Sequence, residues 1–148
     1  MSIFGLDKYG SSTISFSCGC YLAWIFKNFV SERGENVIRE WIATLPKKVR
    51  FKIDGRIRYL QTVDELQYPY VEKWTGVRDL FEVRVGFSGV QYRMLGCYGK
   101  ERTFILLVGA VEKDWKLEPR SAEDTAIGRM SLIAEEKYVI DHFPKEET

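Results

Sequence analysis

Arg84, Arg93 and Glu82 are the residues whose types and spacing could do chemistry in this chain. Phe81, Val83, Val85 and Phe87 alternate with Glu82, Arg84 and Gly86, the period-two pattern of a strand with one buried face. Ser88-Gly89 follows as a turn signal. With those two residues as the whole loop, Phe87 pairs with Val90, Val85 with Tyr92, Val83 with Met94 and Phe81 with Gly96. One face is then apolar throughout, which is what sets register in a half-buried sheet. Arg84 lies directly opposite Arg93 on the other face, with Glu82 one step away and Gly86 beside Gln91. Like charges directly across a strand pair cost up to ~1 kcal/mol, and a tolerated conflict of that kind points to function. Two guanidinium forks side by side would make a prebuilt site for a phosphate. In the competing reading Glu82 neutralises one arginine and water solvates the other. A bulge or a three-residue loop would instead move one arginine to the opposite face.

A second group of cations lies further toward the N-terminus. Lys48, Lys52 and Arg56 are spaced i, i+4, i+8, so on a helix they form one basic ridge, with Lys47 beside it. Like charges at that spacing oppose the helix, and a polyanion would relieve them through salt-dependent binding. The plain alternative is a solvated helix face.

Other chemistries are excluded by what is scarce. His142 is the single histidine, so there is no Ser-His-Asp triad, no histidine metal site and no two-histidine acid/base pair. Cys18, Cys20 and Cys97 are an odd number of cysteines, and Cys18-Gly-Cys20 has the wrong spacing for a zinc knuckle. They read as reduced thiols of a cytosolic protein. The acid/base groups of an enzyme here must be Lys, Arg, Tyr, Asp or Glu. No Walker loop, dinucleotide fingerprint or internal repeat is present.

The elements that must position these residues follow from periodicity. Tyr21 to Val30 reads as a strand apolar on both faces and internal to a sheet. Val37, Ile38, Trp41, Ile42 and Leu45 make Glu35 to Leu45 an amphipathic helix ended by Pro46. Val49, Ile53, Ile57 and Leu60 are the buried stripe of a second helix from Pro46 to about Leu66, so the two helices form a hairpin on the apolar face of the sheet. Tyr68 to Gly76 reads as a loop, and the three antiparallel strands of a meander follow, the last of them Thr103 to Val111, apolar on both faces. Glu112 to Pro119 reads as a loop, and Arg120 onward resumes helical spacing, with Ile127, Met130, Ile133 and Ala134 on one side.

With 148 residues, 45% of them hydrophobic and 14% aromatic, and a net charge of +1, the fold is a globular α+β domain whose basic surface can only be local. Residues 1–20 read as an extension, 21–140 as one domain and 141–148 as a charged tail. The apolar run from Cys18 to Phe26 is too short to span a bilayer, and no secretion signal or membrane segment is expected.

The order of strand, two-helix hairpin, three-stranded meander, basic loop and C-terminal helix resembles the RelE/ParE toxin superfamily, and more closely its phage-derived HigB-like branch. The resemblance runs from about Tyr21 to Met130. It rests on REWIATLPKKVRFKI at 39–53, LFEVRVGFSGVQYRML at 80–95 and TFILLVGAVEK at 103–113, with Pro119 and Ala126-Ile127-Gly128-Arg129-Met130 downstream. It implies the RelE-like fold and the toxin of a type II toxin-antitoxin pair, a cytoplasmic mRNA endoribonuclease that needs no metal or cofactor. It also implies inhibition by a helix-turn-helix antitoxin and a ribosome as possible partner. Arg84 and Arg93 match the family's strand arginines, and Lys113 matches one lysine of its usual pair. Glu112 replaces the other lysine, Ala110 stands where a phenylalanine is common, and the Lys113 to Pro119 loop is one residue longer. These departures leave room for reduced or altered activity.

Cleaving RNA by its own 2′-hydroxyl requires a base for that proton, cations for the doubly charged phosphorane and an acid for the departing 5′-oxygen. Arg84 and Arg93 suit the charge-stabilising role, and the base is Glu82 or a depressed-pKa Lys113. Trp115 or Tyr92 would stack a splayed base, although Tyr92 falls on the apolar face. Lys47, Lys48, Lys52, Arg56 and Lys116 would bind the RNA. The alternatives are a ParE-like gyrase poison on the same fold and a degenerate, non-catalytic interaction module. On the arginine face, Leu80, Leu95 and Cys97 make one end apolar, and the C-terminal helix or the antitoxin is expected to cover it.

Overall fold

Period-two alternation and helical spacing meet in a single seven-stranded sheet in the computed structural model, which describes residues 22–135 and 137–144. The 1–20 extension, Cys18, Cys20, Tyr21 and the end of the charged tail lie outside the described residues. In chain order the elements are β1 (Ile25–Phe29), α1 (Val37–Ala43), α2 (Lys47–Leu60), β2 (Val71–Lys73), β3 (Phe81–Phe87) and β4 (Val90–Tyr98). They continue with β5 (Thr103–Lys113), β6 (Lys116–Glu118), α3 (Ala122–Leu132) and β7 (Val139–Asp141). The sheet order is β2-β3-β4-β5-β1-β7, with β6 paired to β5. Among the described residues no helix is long and apolar enough to cross a membrane.

The β3–β4 hairpin takes the register expected of a two-residue loop: Phe81 faces Gly96, Val83 faces Met94, Val85 faces Tyr92 and Arg84 faces Arg93. Ser88 and Gly89 both have positive φ, 50° and 80°, the geometry that matches the twist of a two-residue hairpin. β4 then pairs with β5, with an irregularity between Leu95 and Gly96. Gly96 is needed there, because a Cβ would collide with the Ile105 carbonyl oxygen.

The sheet carries two cores. On one face α1 and α2 bury Ile38, Ile42, Val49, Ile53, Ile57 and Leu60 against Val83, Val85, Met94, Phe104 and Leu106. On the other, α3 lays Ala122 and Ala126 over Leu80, Leu95, Cys97 and Leu107. Of the two expected covers for the apolar end of the arginine face, the C-terminal helix or an antitoxin, it is the C-terminal helix that lies there. β5 is apolar on both faces because it lies between these layers.

Several expected boundaries move, each for a local reason. α2 stops at Leu60 rather than near Leu66 because Gln61 is diverted to β1. The Gln61 carbonyl accepts from the Ala23 and Trp24 N–H groups, and its side-chain oxygen accepts from Phe26 N–H. The strand read from Tyr21 shortens to five residues beside that anchor. The expected 68–76 loop contains β2, an edge strand too short to show alternation. The expected 112–119 loop is a hairpin, since β5 runs on to Lys113 and pairs with β6. Asp114 and Trp115, with φ of 48° and 67°, make its tip. In α3 the buried positions are Ala122 and Ala126, whereas Ile127 is exposed. Small residues face the sheet and let the helix approach closely.

The largest difference is at the C-terminal end. Val139–Asp141 pairs antiparallel with β1, and His142 is completely buried instead of lying in a solvated tail. Its Nδ1 is 2.8 Å from Asn28 Oδ1 and its Nε2 is 3.0 Å from Asp54 Oδ1. Arg39 holds Asp54 at 3.2 Å and donates to the His142 carbonyl. The sole histidine is thus a latch between β1, α2 and the chain end.

Candidate nucleic-acid face

Arg84 and Arg93 point to the same side of the sheet, as the hairpin register requires, but neither guanidinium is free. Register also places Glu72 of β2 opposite Glu82 of β3, so two like-charge pairs lie side by side on one face. Their diagonals are opposite in sign, and the side chains pair that way. Arg93 Nη1 donates to Glu82 Oε1, and its Nη2 reaches Glu112 on β5. Arg84 lies 3.4 Å from Glu72 and 3.6 Å from Glu82. The repulsion across the hairpin is therefore offset diagonally. Two guanidinium charges face three carboxylates, so the cluster carries a formal charge of minus one.

The prebuilt, unoccupied phosphate receptor expected from the hairpin is therefore corrected. Glu82 is buried, with 7% of its side chain exposed, and it touches both arginines. Arg93 is nearly as buried at 13%, whereas Arg84 at 30% and Glu72 at 36% are partly solvated. Burial would pull the Arg93 pKa down, but its hydrogen bonds and charge contacts with Glu82 and Glu112 outweigh that and raise it. The Nε atoms of both arginines are buried without a hydrogen-bond acceptor, so the pairing leaves donors unused on each fork.

The other residues expected at the site are distributed around it. Ala110 and Glu112 share the arginine face, and the alternation of β5 beyond its irregularity at Leu107 puts Lys113 on the side of Val111, away from the arginines. Glu82 is thus the base candidate that the fold brings to Arg84 and Arg93, and Lys113 is not. Lys116 is exposed on β6, and Trp115 is 92% exposed at the hairpin tip. Tyr92 is buried beneath α2 and is core.

The ridge of α2 is divided in its roles. β2 pairs with β3 over Phe81–Val83 and the Arg84 N–H donates to the Tyr70 carbonyl, beyond which β3 is an open edge. Lys52 Nζ donates to the Gly86 carbonyl at 2.6 Å, and Arg56 donates to the Arg84 carbonyl while stacking on Tyr70, 4.0 Å from the ring centre. Burial lowers the Arg56 pKa, with the Tyr70 and Tyr59 hydroxyls opposing it. Two ridge cations therefore supply the donors that a neighbouring strand would have given, while Lys47 and Lys48 remain exposed.

Glu72 is not legible in the sequence, because a three-residue strand has too little pattern to place a side chain. Glu112 reads there as a replaced lysine and not as a partner of Arg93. The β4–β5 register, which puts Glu112 opposite Gln91 and Ala110 opposite Arg93, would have shown it.

The architecture is that of an α+β protein with a helical hairpin on one face of its sheet and a single helix on the other. The family described as Phage derived protein Gp49-like (DUF891) has a model that matches residues 40–131, so the chain belongs to that family. The match includes the whole arginine–glutamate cluster and all of α2, while β1 and His142 itself lie outside it. No curated protein matches the chain.

Proposed function

We propose that this chain is the toxin of a type II toxin-antitoxin pair of RelE/HigB-like kind, acting on mRNA through the face that carries Arg84, Arg93 and Glu82. The observation that carries this reading is two guanidiniums side by side with a buried carboxylate between them, inside the segment that the phage-derived family spans. Glu82 takes the proton of the 2′-hydroxyl, and the arginines stabilise the phosphorane with the terminal guanidinium N–H groups that Glu72 and Glu112 give up. Solvent supplies the proton to the departing 5′-oxygen, and the residues named need no metal for this step. The Glu72–Arg84 pair is exposed enough to be worth only ~0–1 kcal/mol, so an RNA phosphate replaces Glu72 at small cost. Such a protein works where mRNA is, in the cytoplasm, and a helix-turn-helix antitoxin holds it inactive.

A second reading is favoured by the excess of carboxylates. With three glutamates around two arginines, the cluster repels RNA until one glutamate leaves, and a protein that keeps it closed is a partner-binding module that cuts nothing. Inducible expression separates the two. The toxin reading expects growth arrest that Arg84→Ala relieves, and an absence of any growth defect supports the module.

A further inference from the structure

Gly55 lies in the interior of α2, where glycine is the least favourable residue apart from proline. The two usual reasons for a glycine fail here. Its φ is not in the left-handed region, and a Cβ built on it meets nothing within 4 Å. What the missing side chain leaves is room. A shallow, open cleft of about 330 Å³ lies over it, lined by Lys52, Gly55, Arg56, Tyr59 and Tyr70.

We propose that this cleft binds one unpaired nucleotide of single-stranded RNA, with the base against the Tyr59 ring and the phosphate on Lys52 and Lys48. Tyr59 is half exposed and is held edge-on to Tyr70, with ring centres 5.8 Å apart. The Arg56 guanidinium carbon lies 4.0 Å from the centre of the Tyr70 ring. Rigid aromatic faces interleaved with cations are what sequence-tolerant single-strand binding requires. The charge complements a polyanion, because the one acid among these helix residues, Asp54, is turned away and held by Arg39 and His142. Lys52 spends one N–H on the Gly86 carbonyl and has two more to give. Arg56 is bound to the Arg84 carbonyl, so the cleft and the arginine face lie on two sides of one strand edge, which a single RNA chain can round. The choice of RNA as ligand rests on the function proposed above; the cleft itself does not.

The test is fluorescence anisotropy of a labelled unstructured RNA decamer titrated with the full chain at low salt. Wild type binds, and Gly55→Leu and Tyr59→Ala each weaken binding by about tenfold, the loss expected for one base–aromatic stack. Leucine is a better helix former than glycine, so Gly55→Leu melts no lower than wild type, and its loss of binding is not unfolding. Competition by adenosine 5′-monophosphate at a similar affinity would make the cleft a mononucleotide site. Competition by the oligomer alone would make it part of an RNA path. Wild-type affinity in Gly55→Leu, or no binding by wild type, overturns the proposal. Failure of RNA cleavage with this binding intact removes the catalytic reading and leaves the cleft.

Discussion

Glu82 of β3 and Arg93 of β4 form a buried, hydrogen-bonded ion pair across the hairpin, diagonal to the register that sets Arg84 opposite Arg93. That diagonal makes the two arginines unequal. Removing one partner of a buried pair strands the other charge at a cost of ~3–5 kcal/mol. Arg93→Ala is therefore expected to lower stability by roughly that amount, and Arg84→Ala by less than about 1 kcal/mol, since Arg84 is partly solvated. Urea denaturation of both variants checks this, and equal losses would show that the pair is not buried in solution.

Glu112, the β5 partner of Arg93, stands where the resemblance to RelE/HigB-like proteins implies a lysine. Glu112→Lys removes one negative and adds one positive charge on the arginine face, so RNA affinity should rise. The salt dependence should steepen by about 0.7 in log–log slope for each new phosphate contact on a single strand. An unchanged slope in a salt titration would mean that RNA does not approach this face.

Acid should loosen the chain end. Burial holds the His142 pKa below its ordinary value, opposed by Asp54 and reinforced by the Arg39 and Arg58 guanidiniums. A depressed histidine stabilises the fold fully above its unfolded value of about 6.5, and that contribution is lost as pH falls below it. Asp54 is also lowered: burial would raise it, but His142 and Arg39 outweigh that, so its contribution is lost only at still lower pH. The melting temperature should fall from about pH 7 to about pH 5, and His142→Gln should be less stable at neutral pH with a flatter slope. A parallel decline in both proteins would remove His142 as the cause.

Cys97 is buried under α3, and burial, with Asp79 nearby, pushes its thiol up to about 11. It should resist a thiol reagent at neutral pH in the folded protein and react at once in denaturant. Rapid labelling of the native state would contradict the packing of α3 on Leu95 and Cys97.

The parts legible in the sequence are those where one face is apolar over many residues. Val83, Val85 and Met94 set the hairpin register, Ile53 and Ile57 set the α2 stripe, and both stand as read. What stayed hidden was made by contacts distant in sequence. β2 is three residues long, Gln61 ends α2 by binding β1, and His142 is buried only because β7 returns to β1. The candidate site divides in the same way. Placing Arg84, Arg93 and Glu82 on one face needed only local alternation, whereas their pairing with Glu72 and Glu112 needed the neighbouring strands.

RNA cleavage by the purified protein in EDTA, with and without ribosomes, comparing wild type with a folded Arg84→Ala variant, bears most directly on the proposed activity. Loss of a charge-stabilising donor is worth about 100-fold in rate or more, so wild type should cut RNA and Arg84→Ala should be slower by at least that factor. Intact RNA with wild type, or equal rates for the two proteins, would contradict a catalytic role for the paired arginines.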